Sequence, residues 1–191
     1  MNYWNDIESG PSPPNELYAV IENTRESHNY YQYDIRNGVF KLERVLYSHI
    51  LFDEGFIPRT INEQERPLKT IVFVKEEAFP GCVVPTRPIG LIKFNKQNKS
   101  YIQIISVSND PLYDDIHATS DLFDSIKREI TYQIEYVDAP IEGSTIIDAW
   151  GDVENSIEIV LDSIAQYREK RGSATNTSGT RAVEHRYNTH K

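Results

Sequence analysis

Apolar residues in the first half of the chain come in short runs separated by turn residues. Between Leu17 and Val107 these runs are rich in Val, Ile, Tyr and Phe, and segments such as RNG, FPG and KQNK lie between them. This pattern is typical of closely spaced β-strands. The runs are LYAVIE, YYQYDI, VFKLERVL, TIVFV, IGLIKF and YIQIISV. They predict a barrel or curled sheet of five or six strands.

The hydrophobic period changes after Pro111. Two stripes then recur every three or four residues, which predicts two amphipathic helices whose apolar faces pack on the core. The first stripe is Leu122, Ile126, Ile130, Ile134 and Val137, and the second, within 153–169, is Val153, Ile157, Leu161 and Ile164. The whole pattern predicts an α+β domain in which a barrel-like sheet precedes two helices.

The length and composition favour one domain between two less regular ends. The chain has 191 residues, which suits a single compact domain. We predict a proline-containing N-terminal arm over residues 1–16, a domain over 17–170, and a polar tail over 171–191 that is disordered because it is rich in Gly, Ser and Thr.

The charge excludes some classes of partner. The net charge is −9, with 29 acidic and 20 basic residues, which argues against nucleic-acid binding. No apolar run approaches the roughly 20 residues that span a bilayer, and the N-terminus lacks the pattern of a signal peptide. We therefore expect a cytoplasmic protein without membrane insertion. Cys82 lies among apolar residues in FPGCVVP and is interpreted as a small buried hydrophobe.

Several motifs stand in a recognisable order. They are ELYAVIEN, YQYDIRNGVFKLERVL, GFIPRT followed by ERPLKTIVFV, FPGCVVPTRPIGLIKF, NDPLYDDI, EYVDA and AWGD. With this series the chain resembles the soluble family I inorganic pyrophosphatases from about Leu17 to Tyr167. The resemblance implies a small closed OB-like barrel of about five strands with two flanking C-terminal helices. It also implies hydrolysis of pyrophosphate with several Mg²⁺ ions, and assembly into oligomers, usually hexamers in prokaryotes.

The metal-binding positions of that family are substituted here. Its signature places three aspartates around a proline, and alignment on Pro67 puts Gln64, Arg66 and Lys69 at those positions. Two of the three changes reverse the charge, and cations repel Mg²⁺. A later loop that holds two aspartates and a lysine in the family aligns with Lys96, Ser100 and Ile102, with an uncertainty of one residue. No shift restores a ligand, because residues 92–108 contain no Asp or Glu.

A few pocket residues of the family are retained. They are Glu22, Arg44 and Tyr136, with Asp34 in place of a glutamate, whereas Gln32, Glu54 and Val137 replace other substrate-side residues. In one interpretation Glu22 pairs with Lys69 or Arg66, since a buried carboxylate needs a counter-charge. In the other, the cations bind a phosphate-like anion directly. The candidate anion-binding residues are Arg44, Arg66, Lys69 and Lys96.

Other acidic residues offer weaker alternatives. Glu65 points into the pocket only if the strand register slips by one residue. Asp114 and Asp115 could form a metal site but are interpreted as a turn or subunit contact. The five histidines have no metal-ligand spacing.

Three functions therefore stay open. The favoured prediction is a catalytically inactive homologue, a pseudoenzyme that uses no cofactor and acts as a structural or interacting subunit, in a homo-oligomer or with an unidentified partner. The alternative is an active Mg²⁺-dependent inorganic diphosphatase of phosphate metabolism. The third is a metal-independent binder of phosphate or a nucleotide.

Overall fold

Eight strands form a six-stranded sheet and a separate two-stranded sheet in the part of the chain that the structure describes. The structure is a computed structural model that describes residues 1–137 and 145–187, with side chains to residue 172. The strands are β1 (Leu17–Asn23), β2 (Asn29–Asp34), β3 (Val39–Val45), β4 (Asp53–Ile57), β5 (Leu68–Phe73), β6 (Val83–Lys96), β7 (Lys99–Ser108) and β8 (Thr145–Gly151). Two of these, β4 and β8, are absent from the six predicted runs.

Five strands close into a ring. Their order is β1-β4-β5-β7-β6, and β1 also pairs with β6, where Leu17 lies opposite Thr86. β8 adds to the outer side of β6, while β2 and β3 form a separate hairpin. Ring closure leaves no unpaired edge among these five strands. The predicted α+β fold, an OB-like barrel of five strands with two C-terminal helices, is confirmed.

The ring sets which polar residues face one another. β5 runs antiparallel to β4 and parallel to β7, so Lys69 lies between Phe56 and Gln103. β1 pairs with β4 through a β-bulge between Ile21 and Asn23. A bulge re-aims the side chain of its extra residue, which here is Glu22.

Two helices cover the barrel. α1 (Asp124–Tyr132) continues into a π-helical turn, Gln133–Val137. Most of the predicted first stripe is buried, including Ile130, Ile134 and Val137, so this prediction is confirmed. α2 spans Val153–Tyr187, well beyond the predicted end at residue 169.

The predicted core face of α2 is wrong at one position. Leu161 is 47% exposed, and its neighbour Val160 is fully buried with Ile164 and Tyr167. The buried face is shifted by about one residue because Val160 and Ile164 pack against Leu17 and Leu91 of the barrel, which the spacing of apolar residues could not reveal.

The N-terminal segment packs on the barrel. Tyr3, Trp4 and Ile7 contact a cluster that contains Tyr33 and Phe56, and Trp4 Nε1 donates to the carbonyl of Thr60 at 2.8 Å. The division into arm, domain and tail stays a prediction. The backbone of the predicted disordered tail is helical as far as Tyr187, as the end of α2. Its side chains from residue 173 onward, and the whole of residues 188–191, lie outside what the structure describes.

Among the helices that the structure describes, none combines the length and apolarity needed to cross a bilayer.

Candidate functional site

A polar cavity of about 190 Å³ opens on the barrel. We call it the barrel cavity. Its polar lining residues are Tyr30, Glu54, Asn62, Lys69, Lys96, Gln97, Tyr101 and Gln103. The loop before β5, the strand β7 and the β6–β7 turn thus meet at one place. Lys69 and Lys96, far apart in sequence, line the same space.

Lys69 lies against the buried carboxylate of Glu22. The ammonium group forms a salt bridge with Oε2, and the backbone N–H of Tyr33 donates to Oε1 at 2.8 Å. The Glu22 side chain is only 2% exposed, whereas that of Lys69 is 38% exposed. The ion pair satisfies the carboxylate, and the exposed part of Lys69 faces the cavity.

A second buried carboxylate forms the back of the cavity. Glu54 is 4% exposed, and Gln133 Nε2 donates to its Oε1 at 2.5 Å. The amide oxygen of Gln133 accepts from the backbone N–H groups of Leu51 and Phe52, both at 2.8 Å. The π-helical turn begins at Gln133, so it holds this part of the wall in place.

A wider cleft of about 590 Å³ lies between the β2–β3 hairpin and the turn before Pro67. We call it the hairpin cleft. Gln32, Asp34, Lys41, Gln64 and Arg66 line it. Hydrogen bonds from Lys41 and then Asn37 hold the pKa of Asp34 far below its usual value. In the described part of the chain, the Arg66 guanidinium has no hydrogen-bond or ion-pair partner.

The turn before Pro67 and the start of β7, which the sequence predicts to align with the family's metal-binding segments, are joined by a neutral contact. Gln64 Nε2 donates to the carbonyl of Ser100 at 2.9 Å. An amide–carbonyl hydrogen bond therefore joins the turn before Pro67 to the start of β7.

Other predicted residues lie apart. Arg44 stacks over the ring of Tyr30 at 4.5 Å, beside the cavity. Tyr136 is 61% exposed and stacks on Tyr132, so it lines neither cavity. Glu65 pairs with Lys170 of α2 at 2.5 Å; it also lines the hairpin cleft but not the barrel cavity.

The sequence interpretation missed Gln103. It is 6% exposed and lines the barrel cavity. The only signal was a polar residue inside the apolar run YIQIISV. Its position opposite Lys69 depends on the parallel pairing of β5 with β7, which local sequence does not specify.

The geometry defines a class of protein: a closed five-stranded barrel that holds a cation-lined polar cavity. The family model described as inorganic pyrophosphatase matches residues 19–168. Inorganic pyrophosphatases of Halobacterium salinarum and Haloferax volcanii are each 33% identical to this chain, over 88% of it and 98% of their own length. A crystal structure of inorganic pyrophosphatase from Thermus thermophilus superposes with a TM-score of 0.83 at 30% identity, covering 88% of this chain and 99% of that one. The chain belongs to the inorganic pyrophosphatase family.

These relatives contradict two predictions. The predicted inactive homologue, a pseudoenzyme, is wrong because curated proteins similar along nearly their whole length are named inorganic pyrophosphatases. The prediction of no cofactor is wrong because family I enzymes are Mg²⁺-dependent. Both predictions assumed that the protein ligands were lost and that the chemistry was lost with them. Mg²⁺ is commonly bound by one or two carboxylates together with substrate phosphates, so the substrate can supply ligands too.

The described side chains do not fit a protein-held magnesium cluster. Within residues 1–137 and 145–172, no three His, Cys, Asp or Glu side chains lie close enough together to hold a metal ion. Lys69 lines the barrel cavity and Arg66 lines the hairpin cleft, and Lys69 already neutralises Glu22. The two ammonium groups in the cavity, Lys69 and Lys96, are suited to an anion.

Proposed function

We propose that this protein hydrolyses inorganic pyrophosphate to two phosphates in the presence of Mg²⁺. The observation that carries the proposal is the 33% identity to two inorganic pyrophosphatases over 98% of their length. Cationic side chains in both cavities support the proposal: Lys69 and Lys96 line the barrel cavity, and Lys41 and Arg66 line the hairpin cleft.

The reaction adds one water to one phosphorus atom and breaks the bridging P–O bond. The bridging oxygen leaves with the second phosphate, and the protons of the water are shared between the products and solvent. Pyrophosphate is highly anionic, so its negative charge opposes attack by water. Lys69, Lys96 and Arg66 lower that barrier by neutralising the phosphates and the leaving group.

Phosphate release from pyrophosphate in millimolar Mg²⁺ tests the proposal. We expect turnover that follows the protein through two successive columns, which separates it from host pyrophosphatase. Lys96→Met should lower kcat/KM by roughly tenfold or more, because a cation at the reacting phosphates is lost. Lys99→Met is the matched control, since Lys99 is exposed and lies opposite Lys96 in the β6–β7 pair.

Two outcomes count against the proposal. One is no phosphate release with Mg²⁺ or Mn²⁺ from folded protein. The other is an activity that separates from the protein on the second column.

We also infer that the protein is a cytoplasmic homo-oligomer, as membership in this family suggests. β3 exposes Val39, Leu42 and Val45, which is compatible with a subunit contact.

A further inference from the structure

Lys69 forms an ion pair with Glu22 and lines the barrel cavity. Glu22 reaches Lys69 because the β-bulge turns its side chain, and it is buried apart from this contact. An ammonium group has three hydrogen-bond donors, and Glu22 is the only partner of Lys69 among the described residues. Donors therefore remain for a second acceptor.

Gln103 supplies an independent sign of a ligand. Its side chain is 94% buried and lines the barrel cavity beside Lys69. Among the described residues its side-chain amide has no hydrogen-bond partner. The amide is not among the fully buried polar groups that lack a partner, so it is open to the cavity. An oxygen-rich ligand there can accept a hydrogen bond from its N–H.

We propose that Lys69 and Gln103 form an anion subsite that binds one phosphate of pyrophosphate directly. Lys69 takes the place of a divalent cation beside Glu22, and Gln103 donates its amide N–H to a phosphate oxygen. Mg²⁺ then enters on the oxygens of pyrophosphate and is not held by the protein beforehand. This inference rests on the proposed function, because it takes pyrophosphate as the ligand.

The charge arrangement explains the order of binding. Glu22 is already neutralised by Lys69, and the cavity also contains Lys96 and the buried carboxylate of Glu54. Lys69 and Lys96 repel a free divalent cation, and the Glu54 carboxylate accepts a hydrogen bond from the amide of Gln133. A pyrophosphate anion is attracted, and each Mg²⁺ it carries is already partly ligated by phosphate.

Calorimetric titration of the full chain tests the subsite with three ligands: inorganic pyrophosphate in EDTA, Mg²⁺ alone, and pyrophosphate with Mg²⁺. We expect pyrophosphate to bind in EDTA, and Mg²⁺ alone to give neither heat nor a change in Tm at millimolar concentration. Lys69→Met should weaken pyrophosphate binding in EDTA at least tenfold. Lys93→Met, on the exposed side of β6, should leave it unchanged.

Two further variants test the subsite in case Lys69→Met fails to fold. Lys69→Met leaves a buried Glu22 charge unpaired, which is destabilising, so Glu22→Gln/Lys69→Met removes both charges together. Gln103→Met tests the amide alone and should also weaken binding. An unchanged affinity for pyrophosphate in EDTA, in the double variant or in Gln103→Met, would overturn the subsite. Binding of Mg²⁺ alone to the wild-type protein would overturn it as well.

The result also separates this inference from the proposed function. Binding in EDTA that depends on Lys69, without any phosphate release, supports the subsite and contradicts the enzyme. Phosphate release together with a strict need for Mg²⁺ in pyrophosphate binding supports the enzyme and contradicts the subsite.

Discussion

The buried carboxylate of Asp53 connects a barrel strand to the loop that contains Arg25. The Asp53 side chain is buried at the start of β4, and the backbone N–H of Arg25 donates to Oδ1 at 3.0 Å. The Arg25 guanidinium in turn donates to the carbonyls of Val74 and Lys75. Burial raises the pKa of Asp53 above its ordinary value, with a smaller opposing effect of the Arg25 hydrogen bond.

The raised pKa of Asp53 gives a pH-dependent stability. Because the folded pKa lies above the unfolded one, the contribution of Asp53 is fully present below about pH 4 and is lost as the pH rises through the folded pKa. Asp53→Asn keeps an acceptor for Arg25 and removes the charge. We therefore expect a higher Tm than wild type at pH 8. The increase should be roughly 2–4 °C for each kcal/mol by which the substitution raises the free energy of unfolding.

Melting curves between pH 4 and pH 8 check this prediction. The difference between Asp53→Asn and wild type should vanish near pH 4. A Tm difference that is the same at every pH would mean that the substitution acts through packing and not through the charge.

The sequence predicted part of the site and left part of it hidden. Alignment on Pro67 identified Lys69 and Arg66, and the need of a buried carboxylate for a counter-charge indicated a partner for Glu22. Gln103 and Gln133 were missed because their roles depend on pairing across the barrel and on the π-helical turn. These contacts join residues far apart in the chain, and a local sequence pattern cannot predict such contacts.

Elements were predictable where their apolar residues alternate. β4 has the sequence DEGFI and is buried along its whole length, yet its first two residues are acidic. Those carboxylates are satisfied by Arg25 and Gln133, so burial is possible without an apolar pattern. β8 was missed for the opposite reason, since only Thr145 of this outer strand is buried.

The shifted face of α2 yields a prediction for neighbouring residues. Val160 is fully buried against the barrel, and Leu161 is 47% exposed. Val160→Ala should lower the free energy of unfolding by about 2 kcal/mol, because a buried side chain is truncated. Leu161→Ala is the matched control and should change it by less than about 0.5 kcal/mol.

Urea unfolding of both variants measures this difference. Equal losses at the two positions would show that the helix face is set differently. A larger loss of unfolding free energy for Leu161→Ala would support the core face that the apolar spacing predicts.

We expect the protein to associate with further copies of itself in solution. The chain has a mass of 22.1 kDa, and the proposed homo-oligomer should give a multiple of that value by light scattering coupled to size-exclusion chromatography. The apolar residues exposed on β3 favour this result because association removes them from water. A single-chain mass at micromolar and higher concentration would contradict it.

Ring closure also has a consequence for how the protein is made. β1 occupies Leu17–Asn23, but its partner β6 begins at Val83. At about 5–20 residues per second of synthesis, the ribosome adds the intervening stretch in roughly 3–12 seconds. Throughout that interval the first strand has emerged without the strand that completes the ring. The nascent chain is therefore most exposed to wrong pairing, and most dependent on chaperones, before the segment that begins at Val83 leaves the ribosome.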